Sequence, residues 1–194
     1  MAAPALRYFR LVARDIEIAP LLAELRTQEN AWLANITRQH KSPAQRQTQT
    51  ILLRGPTPRE DVEGVDNHDC MDKPMAVRFP ITMGMMSALA DRLGGSLGRA
   101  MIVRLKPRSS VGRHVDGGAY YAVRDRYHLV LDSPSGSVLQ SGDEDVRMWP
   151  GELWWFDNKQ LHAARNDSNE WRVHCIFDLL PDRSSPAPGR ADIL

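Results

Sequence analysis

The sequence predicts a mainly β protein with flanking helices, and three observations carry that expectation. From Arg99 onward the chain breaks into short β-type runs punctuated by Gly and Pro turns, a spacing that suits an antiparallel sandwich or barrel. Ahead of residue 99 lie two stretches with helical periodicity. Finally, "RYHLVLD" at 126–132 and "WRVHCIFD" at 171–178 each set a polar face against a continuous apolar one, the period-2 signature of a strand.

Taken in order, residues 15–32 read as an amphipathic helix. Ile18, Leu21, Leu22, Leu25 and Trp32 recur at helical spacing, with Asp15 as the expected N-cap. "TILLR" at 50–54 reads as a strand inside a polar stretch. Residues 55–80, rich in Pro, Gly, Asp and Asn, read as a long loop, which in a compact domain points to a lid or rim. "MGMMSALADRLGG" at 83–95 reads as a second helix closed by Gly94-Gly95, with Met83, Met85 and Met86 filling the core. The β candidates are 99–106, 112–117, 126–132, 136–140, 144–149, 151–157, 162–166 and 171–178. Trp154 and Trp155 are adjacent on one of these strands, so one faces each way. The division expected is an N-terminal part at 1–98 that builds the substrate side, a β core at 99–180 and a tail at 181–194.

Composition narrows the function. The 194 residues suffice for one domain with a substantial core, and 42% hydrophobic residues speak for a globular chain. A net charge of +1, with Lys and Arg scattered, points to neither nucleic acid nor a membrane surface as partner. Arg7, Arg10 and Arg14 interrupt any apolar leader, and no run approaches the ~20 residues that span a bilayer. Cys70 and Cys175 are far apart and lack metal spacing, as free thiols in a reducing compartment would. The expected location is cytoplasmic.

The chemistry sits on the polar faces. Arg126 and His128 share one face of their strand, and Arg172, His174 and Asp178 share one face of theirs. An antiparallel sheet with its polar face in water explains one such strand; two Arg-x-His strands point instead to faces that line a cavity. A buried arginine needs an anion, which a bound carboxylate can provide. His114 and Asp116 stand two apart, so on a strand both point to one side. His162 follows a turn 48 residues beyond His114, and Arg172 follows ten residues later. Two imidazoles and one carboxylate make the facial triad of non-haem Fe(II) oxygenases. In such enzymes an arginine commonly grips the distal carboxylate of 2-oxoglutarate, and Arg172 is placed to do so. His68, beside Asp69 and Cys70, reads as part of a polar loop rather than a second metal site.

The order and spacing of "HVD" at 114–116, "RYHLVL" at 126–131, "GELWWFDN" at 151–158, His162 and "RVH" at 172–174 resemble the aspartyl/asparaginyl β-hydroxylase-like branch of the Fe(II)/2-oxoglutarate dioxygenases, which includes proline hydroxylases. The resemblance covers about residues 99–180. It implies a double-stranded β-helix core, a cupin-like jelly roll, with iron on His114, Asp116 and His162. It implies 2-oxoglutarate on Arg172, with Arg126 and His128 at its inner carboxylate or at an acidic substrate group. Fe(II), 2-oxoglutarate as cosubstrate, O2 and ascorbate as reductant are the implied cofactors. An amino acid, peptide or protein side chain is the implied substrate, with Tyr120, Tyr121, Asn35 and Arg38 as candidate contacts. The chain departs from the vertebrate-type aspartyl hydroxylase twice. That enzyme has glycine where Asp116 stands, and its serine at the distal carboxylate aligns with Val103, so Arg172 needs another helper. Two other readings remain at this point: a cupin-like binding module without catalysis, and a metal-dependent cupin enzyme that does not use 2-oxoglutarate.

Overall fold

The structure, a computed structural model, describes residues 5–34, 42–64 and 66–182. Its strands are β1 (Phe9–Ala13), β2 (Thr48–Pro56), β3 (Cys70–Asp72), β4 (Gly95–Leu105), β5 (Ser109–His114), β6 (Asp125–Asp132), β7 (Ser137–Ser141), β8 (Glu144–Val146), β9 (Leu153–Phe156), β10 (His162–Asn166) and β11 (Arg172–Pro181). They form a seven-stranded sheet in the order β1-β9-β6-β11-β4-β2-β3 and a four-stranded sheet in the order β5-β10-β7-β8. Helix α1 (Ala19–Arg26) and helix α2 (Pro80–Arg92) accompany them.

Alternation decides which face meets what. Tyr127, Leu129 and Leu131 of β6, with Val173, Cys175 and Phe177 of β11, pack with Leu21 and Leu25 of α1 and Met86 and Leu89 of α2. This is the main core, and it lies on the outer side of the large sheet. The opposite face of that sheet turns to the small one: Leu105, Val130 and Phe156 pack on Leu139, Val146 and Ala164. The polar residues of β6 and β11 therefore point between the sheets, and Arg126, His128, Arg172, His174 and Asp178 are all buried there. Trp154 joins the inter-sheet cluster while Trp155 packs on the helix side, one to each face as alternation requires.

Several elements differ from the sequence reading, among them β3 and a 3₁₀ turn at Pro74–Arg78 inside the stretch expected to be loop. The helix expected over 15–32 is shorter, because Asp15 adopts φ 57° and cannot open a helix. Pro20 fixes the start of α1 instead, and the remainder is a 3₁₀ turn at Glu29–Leu33. The strand expected over 112–117 ends at His114, so Asp116 lies in the loop that follows. Strand β1, too short and basic to stand out, supplies an edge against β9. Strand β4 begins at Gly95, so the texture change at residue 99 falls inside a strand rather than at a boundary. At the end of α2, Gly94 takes φ 68° and its N–H donates to the Asp91 carbonyl, the expected glycine stop. Among the described residues no helix is long and apolar enough to cross a membrane.

Candidate metal centre

Strand register brings the two histidines together. β5 and β10 run antiparallel with His114 directly opposite His162, and the ring centroids lie 4.2 Å apart. The Nδ1 of His114 lies 2.8 Å from the Gly112 carbonyl, and that of His162 lies 2.9 Å from the Gln160 carbonyl. A carbonyl only accepts, so each Nδ1 carries the proton and each Nε2 keeps its lone pair. Asp116 reaches the same point from its loop, held by its own N–H donating to the Asn158 carbonyl at 3.1 Å. Its Oδ1 stands 3.9 Å from His114 Nε2 and its Oδ2 stands 3.8 Å from His162 Nε2. Donors about 2.1 Å from a common ion can be up to about 4.2 Å apart. The Oδ1 distance to His114 meets that limit, the Oδ2 distance shows the same carboxylate close to His162, and the donor set suits a divalent transition metal. Among the described residues these three form the His/Asp cluster able to hold an ion, with ligand atoms within 4.8 Å of one another.

Charge is distributed unevenly around them. Burial alone would raise the Asp116 pKa, but Arg126, His162, the Asn158 hydrogen bond and His114 outweigh it, and the carboxyl titrates below its ordinary value. Burial lowers the pKa of His162 despite the nearby Asp116, which favours the neutral imidazole that a metal requires. Phe156 sets its ring edge-to-face against both His162 and His128, at 5.3 and 5.0 Å, and closes the floor of the site.

Arg172 lines the same cavity as His114, His128 and His162. It is buried, and among the described residues no carboxylate lies within ion-pair distance of it. Burial pushes its pKa down to about 10, still far above neutrality, so the guanidinium stays charged. Its Nη2 donates to His174 Nδ1 at 3.2 Å, and His128 Nδ1 meets the same atom at 3.2 Å. His174 Nδ1 must accept from arginine, so its proton sits on Nε2. Burial, then Arg172 and His128, keep His174 neutral by driving its pKa well down. His174, which steadies Arg172, faces Val103 across β4 and β11.

Several expected roles look different in the structure. Arg126 borders the cavity, but its guanidinium is spent on internal acids: Nε and Nη2 donate to Asp178 at 2.7 and 3.0 Å, and Nη1 donates to Asp116 at 2.6 Å. Tyr120 is no rim residue. Its ring is fully buried between the Arg99 and Arg124 guanidiniums, at 3.8 and 4.1 Å. Tyr121 is half-buried, accepts from Arg99 Nη1 at 3.1 Å and lies 4.9 Å beneath Arg126. Asn35 and Arg38 lie outside the described residues, as does the tail beyond residue 182. The loop expected as a lid is fastened down: Arg99 donates to the Gly64 carbonyl, Arg124 to the His68 carbonyl, and Ala119 N–H to Asp66. His68 is engaged there by Arg124, whose Nη1 lies 3.0 Å from its Nδ1.

Two residues at the site, Asn158 and Gln45, went unread in the sequence, and Asp178 was read only by its face. Asn158 donates to Asp116 Oδ2 at 3.0 Å, Asp178 grips Arg126, and Gln45 places its amide nitrogen 3.2 Å from His114 Nε2. Only Asp178 carried a signal, through alternation with Arg172 and His174.

Comparison with known proteins gives the setting. Residues 33–181 match the family described as aspartyl/asparaginyl beta-hydroxylase. The L-proline cis-4-hydroxylase of Rhizobium meliloti (strain 1021) is 25% identical over 133 residues, which cover 68% of this chain. The chain spans about half the length of that relative, 47%. Among solved structures, AviO1 from Streptomyces viridochromogenes Tue57 superposes with a TM-score of 0.52 at 15% identity, covering 93% of both chains. The viral collagen prolyl hydroxylase vCPH from Paramecium Bursaria Chlorella virus-1, in its 2OG complex, gives 0.50 at 10% identity, covering 91% of this chain and 97% of that one. Two antiparallel sheets with these neighbours are the double-stranded β-helix that the sequence led us to expect.

Proposed function

Because the chain belongs to the aspartyl/asparaginyl β-hydroxylase family, we propose that it is an Fe(II)- and 2-oxoglutarate-dependent dioxygenase that hydroxylates an unactivated C–H of an amino acid, peptide or protein side chain. The observation that carries this reading is a charged, buried Arg172 with no acid in ion-pair reach among the described residues, in the cavity lined by His114 and His162 of the three-residue His/Asp cluster. Leaving such a guanidinium unpaired costs several kcal/mol, which a dicarboxylate ligand offsets. A metal cupin that takes no dicarboxylate offers no such compensation.

When bound, iron and 2-oxoglutarate supply the activation of O2 for C–H hydroxylation, with succinate and CO2 as co-products. The chain's own groups bind and orient. His114, Asp116 and His162 would hold the metal, and Asn158 fixes Asp116 from the other side. Arg172 would grip the distal carboxylate, steadied by His174, and His128, which lines the same cavity, would contact the inner end. Val103, Leu105, Phe156 and Ile176 exclude water from the space between. The substrate would enter beside Gln45, which lines the cavity ahead of β2; Tyr121, Asn35 and Arg38 are candidate contacts on the sequence reading alone. The proline hydroxylase among the relatives supports an amino acid or peptide as substrate. The free thiols Cys70 and Cys175 support a cytoplasmic location.

The test is succinate formation by the purified chain with Fe(II), ascorbate, O2 and 2-oxoglutarate, in the presence and absence of proline and proline-containing peptides. Wild type is expected to form succinate, His162→Ala none. Arg172→Lys keeps a charge but loses the fork, so its KM for 2-oxoglutarate is expected to rise at least about tenfold. Wild-type protein that forms no succinate under any of these conditions contradicts the proposal.

A further inference from the structure

We propose that Asp178 is a positioning residue for the metal, acting through Arg126 to set the direction and the charge of the Asp116 carboxylate. The inference rests on the reading of His114, Asp116 and His162 as ligands. It concerns a buried acid that this reading leaves without a task.

Asp178 and Arg126 face each other across β11 and β6, in register. Cross-strand neighbours on one face stand close enough for a fork-to-fork pair, and two parallel bonds of 2.7 and 3.0 Å form it. The Tyr121 ring lies 4.9 Å from the same guanidinium. With Nε and Nη2 occupied, Nη1 has one fixed direction, and it donates to Asp116 Oδ2 at 2.6 Å. Asn158 donates to that same Oδ2. No hydrogen bond reaches Oδ1 among the described residues, where His114 Nε2 stands 3.9 Å away. One oxygen is thus claimed by the protein and the other is left for a cation, which makes Asp116 a one-oxygen ligand.

Charge makes the same case. A lone Arg126 against Asp116 would neutralise the carboxylate and weaken its hold on a divalent ion. Asp178 supplies a second negative charge on the far side of the guanidinium, so the trio keeps a net charge of −1 beside the site. The carboxylates also outweigh burial in holding the Arg126 guanidinium charged. Removing Asp178 frees Nε and Nη2, and Arg126 can then close on both oxygens of Asp116.

Asp178→Asn tests this, because it keeps the shape and removes the charge. The measurements are anaerobic titration of the full chain with Fe(II), and with Mn(II) followed by electron paramagnetic resonance. They are read beside the Fe(II)–2-oxoglutarate charge-transfer band and the thermal unfolding midpoint. The expected result is metal binding weaker by about ten- to a hundredfold and a shifted band, with Asp178→Glu recovering part of the loss. A folded Asp178→Asn that binds both ions within about twofold of wild type, with an unmoved band, overturns the inference and leaves the dioxygenase reading intact. Wild type that binds neither ion overturns both. If Asp178→Asn fails to fold, Arg126→Lys takes its place, since it keeps the cation and loses the fork. Unchanged metal affinity in that variant overturns the inference equally.

Discussion

Single protons on single nitrogens decide whether this site works. His114 and His162 offer Nε2 because backbone carbonyls claim Nδ1, and His174 accepts from Arg172 only while it stays neutral. Burial lowers the pKa of both His162 and His174 beneath the ordinary 6.5, so each binds its proton more readily unfolded than folded. Their stabilising contribution is full above pH 6.5 and is lost as pH falls below it. Urea unfolding of the metal-free chain between pH 8 and 5 is therefore expected to show stability declining below about pH 6.5; a flat profile across that window contradicts these assignments. The convergence of His114, Asp116, His162 and Arg172 was legible in the sequence because the chemistry restricts residue type and the spacing restricts position. Asn158 and Gln45 were not. Each acts through one contact set by tertiary approach, and asparagine and glutamine are ordinary loop residues. Tyr120 misled for the same reason, since only the folded chain places Arg99 and Arg124 on either side of its ring.

Strands β6 and β11 were readable because period-2 alternation is local: six apolar residues face the helices, and the Arg and His residues face inward. Asp116 lay beyond that logic, since β5 stops at His114 and the loop, not the strand, delivers the carboxylate. The start of α1 was misplaced because a left-handed Asp15 cannot be told from an N-cap by residue type. A more exacting element is the start of β4, where Gly98 has no room for a side chain. A Cβ there would overlap the Tyr120 hydroxyl and crowd the Asp178 carbonyl at 3.1 Å. That hydroxyl accepts the Arg99 N–H at 2.7 Å, and the Arg99 and Arg124 side chains pin the 57–69 loop. Gly98→Ala is expected to destabilise the chain by about 1–3 kcal/mol through overpacking. It should also raise proteolytic sensitivity within the loop. Equal urea midpoints for the variant and wild type would show that this junction is looser than the packing implies.

Across the whole molecule, one sheet serves two purposes. Its outer face builds the main core with α1 and α2, and its inner face gives up apolar packing near the centre to hold Arg126, His128, Arg172, His174 and Asp178. Such a concentration of buried polar groups is costly unless each charge is compensated. Asp178 and Asp116 compensate Arg126, whereas Arg172 has no carboxylate in ion-pair reach among the described residues; on the proposed reading an anion compensates it and a cation compensates Asp116. The sandwich class was legible from strand spacing, but the pairing of N-terminal β1 and β2 with β9 and β4 was not, because register between distant segments leaves no local mark. Anaerobic titration of Fe(II) into the purified chain with 2-oxoglutarate tests the central claim most directly. One iron per chain is expected, with a charge-transfer band that needs both iron and 2-oxoglutarate and disappears in Asp116→Ala. Absence of that band in wild type, or its persistence in Asp116→Ala, would contradict the account.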